Sequence, residues 1–138
     1  MIGTTKHSFK HLNKHKRERL ESFVQEYSRI CIQVIDLIWH EYVEKDNLSI
    51  PKRIDYKQFK INHNLSSRAF QCAVNQAGGI VRGVIEKQRR RKWVNEKRGL
   101  NLKSLKFSNP RLKFVAPGLN ANCFDFRFSK SRFEAFAR

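Results

Sequence analysis

Between Lys14 and Lys45 the apolar residues recur in steps of three and four: Leu20, Phe23, Val24, Tyr27, Ile30, Cys31, Val34, Ile35, Ile38, Trp39, Tyr42 and Val43. That spacing puts them on one face of an amphipathic helix, and neither Gly nor Pro interrupts it. At about 1.5 Å per residue the helix is expected to be roughly 45 Å long. A second stripe, Phe70, Ala73, Val74, Ala77, Ile80, Val81, Val84 and Ile85, predicts another helix. Ser66 or Ser67 can cap its free N–H groups. Residues 46–64 hold Asn47, Ser49, Pro51, Asn62 and Asn64 and read as the connection. Matching stripes on either side of a long connection predict an antiparallel pair.

After Gly99 the pattern changes. "LNLKSLKF", "RLKFVAPG" and "NCFDFRF" alternate apolar and polar residues, separated by Asn109-Pro110 and Pro117-Gly118, which is strand and turn chemistry. Residues 5–12, "TKHSFKHL", carry one central aromatic and read as a strand or extended arm. The expected class is therefore α+β. A helical hairpin over residues 14–98 is inserted between an N-terminal strand or arm (1–13) and an incomplete set of antiparallel barrel strands (99–138).

Composition sharpens this picture at one point, the charge. The chain has 138 residues, enough for one domain, and 40% hydrophobic content supports a core. Its formal net charge is +17. Self-repulsion of that size is relieved by a polyanion, and nucleic acid is the commonest one. The charge is also segregated. Residues 86–113 hold eleven Lys and Arg against Glu86 and Glu96, whereas residues 21–50 hold six acids against Arg29 and Lys45. A positive block beside an acidic helix implies a directed binding face. An anionic membrane is the rival polyanion. No apolar run is long enough to span a bilayer and no secretory signal opens the chain, so a cytoplasmic protein without membrane contact is expected. Cys31, Cys72 and Cys123 stand apart in apolar settings, without a CxxC pair, and read as reduced core residues.

Two groups of polar residues suit nucleic acid. Lys87, Arg89, Arg90, Arg91, Lys92, Lys97 and Arg98, with Lys14, Lys16 and Arg17, are candidate phosphate contacts, because each cation releases condensed counterions. A helix macrodipole accounts for one or two such cations, not for the whole run. Arg68, Gln71, Asn75 and Arg82 are spaced by three, four and seven and share one face beside the apolar stripe. Arg, Gln and Asn pair bidentately with guanine and adenine edges, so these four are candidate base contacts. Gly78 and Gly79 lie on the same stretch and admit close approach, either by a ligand or by another part of the chain. Phe124, Phe126 and Phe128 fall on one strand face, suited to core packing or to stacking on unpaired bases.

Catalytic chemistry is not apparent. The acids are mostly on the first helix, and Asp125 and Glu134 stand alone. His7, His11 and His15 recur every four residues but sit among lysines, without an acidic or cysteine partner for a metal. No catalytic residue, metal or cofactor is expected.

The helix pair, the "LSSRAFQCAVNQAGGIV" segment and the closing "NCFDFRFSKSRFEAFAR" resemble the N-terminal part of the TnpB-like nucleases encoded by insertion sequences, and of the related type V CRISPR effectors. The resemblance implies a wedge domain with an inserted helical recognition lobe. It implies a structured guide RNA held by the wedge and basic segment, and a target DNA duplex read by the second helix. That family's RuvC domain, with three acidic metal ligands, and its zinc ribbon have no counterpart in this sequence. The expectation is a non-catalytic nucleic-acid-binding module: a fragment, a half completed by a RuvC-containing chain, or a decayed relative. Two other readings are a ribosomal-type RNA-binding scaffold and a mimic that competes for the nuclease's RNA.

Overall fold

A computed structural model of the protein describes residues 10, 12–45, 49–99 and 109–119 in full, and residues 124–128 and 133–137 as backbone strands. Helix α1 spans Lys14–Ile38 and runs on through a π turn at Trp39–Val43. Asn13 starts it by accepting the Lys16 N–H at 2.9 Å. Helix α2 spans Ser67–Lys97, and Ser66 caps it by accepting the Ala69 N–H at 3.2 Å. Both helices fall where the periodicity places them.

Two cross-helix contacts set their direction. The Tyr27 hydroxyl donates to Gln76 Oε1 at 2.6 Å, and the Cys31 thiol donates to the Ala73 carbonyl at 3.7 Å. Four residues forward in α1 is three residues back in α2, so the helices are antiparallel. Ala69, Ala73 and Ala77 recur every four residues and are fully buried. Their small side chains let α1 approach until a cysteine touches the α2 backbone. Around this seam pack Ile30, Val34, Ile38, Val74 and Val81.

Two non-helical segments finish the core. The connection crosses α2, burying Ile50, Ile54 and Leu65 and making one 3-10 turn at Tyr56–Gln58. Residues 109–119 form an extended strap. Asn109 donates to Asp36 at 2.8 Å, and the Val115 N–H donates to Ser28 Oγ at 2.9 Å. Gln76 holds the far end, accepting from the Gly118 N–H at 2.8 Å and donating to the Ala116 carbonyl at 2.7 Å. A Cβ on Gly118 would lie 2.9 Å from Gln76 Oε1, so a side chain here would push the Gln76 amide from its present position.

The expectation of an α+β fold with an incomplete antiparallel barrel is overturned. The fully described residues are helical apart from connections and the strap. Strands β1 (Phe124–Phe128) and β2 (Phe133–Ala137) pair with each other in a two-stranded antiparallel sheet, with Phe126 opposite Ala135. "RLKFVAPG" fails as a strand for a specific reason. Pro110 and Pro117 have no N–H, Arg111 sits at φ 44°, and the N–H groups of Val115 and Gly118 go to side chains of the helices. A strap with one buried anchor, Val115, also produces partial alternation. The strand expected over "LNLKSLKF" and most of that over 5–12 lie outside the described residues, as do Cys123 and the side chains of Phe124, Phe126 and Phe128.

Candidate nucleic-acid interface

The last buried residue of α2 is Ile85, yet the helix continues to Lys97. Twelve further residues at about 1.5 Å each carry it roughly 18 Å past the core. Local chemistry explains why this segment stays helical. Arg, Lys, Gln and Glu are good helix formers. Cations suit the C-terminal end of the macrodipole. Two i,i+4 pairs brace it, Arg90–Glu86 at 3.3 Å and Lys92–Glu96 at 3.9 Å. Gly99, at φ 75°, ends it in the left-handed conformation that glycine adopts without strain.

The segment contains all seven phosphate-contact candidates proposed for α2, and all are exposed. Glu86 and Glu96 engage Arg90 and Lys92, leaving Lys87, Arg89, Arg91 and Arg98 without a carboxylate partner among the described residues. Lys87, Arg91 and Arg98 follow at four and seven residues and form one stripe.

Carrying the Tyr27–Gln76 register along the pair brings Lys14 level with about residue 90. The first turn of α1 therefore lies at the same end of the molecule. It contains Lys14, Lys16 and Arg17 and no acid. Cations at a helix N-terminus oppose the dipole, typically by about 0.3–1 kcal/mol each. A bound anion would offset that cost. Lys14 pairs with Glu18 one turn on, at 3.9 Å. Farther along the helix Glu26 pairs with Arg29 at 2.6 Å and Glu41 with Lys45 at 2.8 Å, and Glu44 lies 2.5 Å from His40 Nδ1. The Arg29 hydrogen bond, helped by the Asn64 N–H, holds the Glu26 carboxyl below its usual range despite partial burial.

The base-contact candidates do not act as one group. Arg68 and Gln71 are exposed. Asn75 is half-buried, and its Oδ1 is enclosed without a hydrogen-bond partner. Arg82 folds back, its guanidinium donating to the Pro51 carbonyl of the connection. Gly78 serves the same contact: a Cβ there would lie 2.8 Å from Ile54 Cδ1. Close approach at Gly78 is thus made by this chain's own connection. Arg68 and Arg89 are 21 residues apart, so roughly 32 Å of helix separates the upper candidates from the basic tip.

Residue-by-residue reading passes over Trp93. It is 58% exposed inside the basic segment, with Lys97 Nζ 4.4 Å from its ring centroid. The signal was available as an aromatic inside "RRRKWVNEK". Gln76 was missed because its partners are 40 or more residues away.

Among the described residues no group of His, Cys, Asp and Glu is placed to hold a metal ion, and His15 is exposed. Cys31 is buried, which pushes its thiol up to about 12, and it is not a thiolate nucleophile. No helix among the described residues is long and apolar enough to cross a membrane. No family model, curated protein or solved structure matches this chain.

Proposed function

We propose that this protein binds RNA through its basic helical tip, formed by α2 residues 86–98 and the first turn of α1, as a binding module without a nuclease centre. One observation carries the reading. A helix projects well beyond its core, and Lys87, Arg89, Arg91 and Arg98 on that projection face no carboxylate among the described residues. A solvated face made only for solubility would carry the two signs in nearer balance, whereas residues 86–98 hold seven cations against Glu86 and Glu96. The resemblance to TnpB-like nucleases supports a structured guide RNA as ligand, a cytoplasmic setting, and a RuvC-containing chain and target DNA as further partners. Arg68 and Gln71, both exposed on the first turns of α2, are the side chains free to meet a duplex.

The test is binding as a function of salt. Replacing Arg89, Arg90 and Arg91 by Ala removes up to three phosphate contacts. It should lower the slope of log affinity against log salt by about 2–3 and weaken binding at physiological salt by at least tenfold. Unchanged affinity and slope would reduce the segment to a solvated surface. Sequencing the RNA that copurifies with the chain then identifies the ligand. With magnesium present, the isolated protein should leave RNA and DNA intact.

A further inference from the structure

We infer that Trp93 is a stacking platform for an unpaired base, so that the tip grips single-stranded rather than duplex RNA. The inference rests on the nucleic-acid reading above and names the form of ligand at that site.

An indole in water forfeits the stabilisation that burial supplies, and a solvated helix segment gains only a modest cation–π contact from one. Trp93 is nevertheless 58% exposed, while the other tryptophan, Trp39, is 6% exposed in the core. Its neighbours three and four residues away on α2 are Arg89, Arg90, Glu96 and Lys97. Lys97 lies over the ring at 4.4 Å. Arg90 and Glu96 are turned to Glu86 and Lys92. Arg89, one turn before the indole, has no carboxylate partner among the described residues. An aromatic face bordered by a free guanidinium and an ammonium can hold a nucleotide at both ends. The base lies on the ring and the flanking phosphates meet the cations.

Geometry selects the single strand. In a duplex the base faces are covered by stacking, and only edges reach the grooves. Indole offers one donor and no acceptor, too little to read an edge, whereas its face can stack on any unpaired base once the flexible Lys97 side chain swings aside. An apolar protein partner fits poorly, because covering Trp93 would strip water from the cations around it.

The test uses the full chain, titrated with an oligouridylate of about 20 nucleotides, a blunt RNA duplex of equal length, and polyglutamate. Trp39 is buried, so the solvent-accessible emission comes from Trp93. Oligouridylate should quench that emission. Trp93→Ala should weaken oligouridylate binding by roughly 5- to 150-fold and duplex binding by less than about twofold, and Trp93→Phe should restore most of the loss. The side chain is exposed, so neither substitution threatens the fold. Wild-type affinity in Trp93→Ala, quenching as strong by duplex or polyglutamate, or failure of Phe to rescue overturns the inference. The Arg89, Arg90, Arg91 triple variant separates the two readings. If it loses salt-dependent binding while Trp93→Ala does not, the tip binds RNA without stacking. If both bind as wild type, or the wild type binds neither RNA, the nucleic-acid reading falls as well.

Discussion

Gln76 joins three parts of the chain with one amide. Its oxygen accepts from the Tyr27 hydroxyl and the Gly118 N–H, and its nitrogen donates to the Ala116 carbonyl. Replacing it by Leu removes all three hydrogen bonds. Stability should fall by about 1–3 kcal/mol in urea unfolding, and protease should cut the strap sooner, while α1 and α2 remain helical by circular dichroism. A neutral result would mean that the Asn109–Asp36 and Val115–Ser28 hydrogen bonds and the burial of Val115 hold the strap without Gln76. Glu26 makes a second prediction. Its carboxyl pKa is lowered in the folded protein, chiefly by Arg29, so its stabilisation is full above the ordinary glutamate range and disappears as pH falls through the lowered value. Wild type should exceed Glu26→Gln in stability above about pH 5, and the gap should close on further acidification. A gap that widens in acid would contradict the assigned sign.

The three α2 glycines differ in what surrounds them. Gly78 is covered by Ile54, Gly79 meets only the Arg82 guanidinium at 3.8 Å, and Gly83 has nothing within 4 Å. Alanine is favoured over glycine in a helix by about 0.8–1 kcal/mol. Gly83→Ala should therefore raise stability by about that amount. Gly78→Ala should gain less or lose, because Ile54 must shift from its buried position. Equal gains at both positions would show that Ile54 is not held tightly. The same comparison explains how much of α2 was legible. Its stripe, its Ser66 cap and its basic run follow from helical spacing and local chemistry. The role of Gly78 does not, because its partner lies 24 residues away and nothing in the spacing ties the two together.

Charge acts on the molecule as a unit. A formal charge of +17 repels itself most where Lys14, Lys16 and Arg17 adjoin the α2 projection. Screening has a range of about 10 Å at 0.1 M salt, comparable with the thickness of this tip. The melting temperature should rise when salt is increased from low ionic strength. Oligouridylate should raise it at far lower concentration, by binding the folded state. In the Arg89, Arg90, Arg91 triple-alanine variant both rises should shrink. A melting temperature indifferent to salt would mean that the cations are already compensated. On this picture charges of the two signs have separate work: Glu26 pairs with Arg29 and accepts from the connection at Asn64, whereas Lys87, Arg89, Arg91 and Arg98 stay available to a ligand.

Local pattern determined the two helices, the faces they bury, their antiparallel pairing and the position of the charge. Spacing of apolar residues and the sign of side chains are properties of short stretches, and helices are built from short-range bonds. Tertiary contacts alone decided the rest. Residues 111–118 carry partial alternation that suits either a ladder or a strap, and the choice depended on which groups reached their N–H donors. Ser28 and Gln76, far away in the chain, reached them first. Likewise Arg82 was free to face a ligand until Pro51 arrived beside it, and Trp93 was free to be core until α2 outran the surface that could cover it. A side chain's pattern states what it is able to contact; only the assembled chain settles what stands within reach.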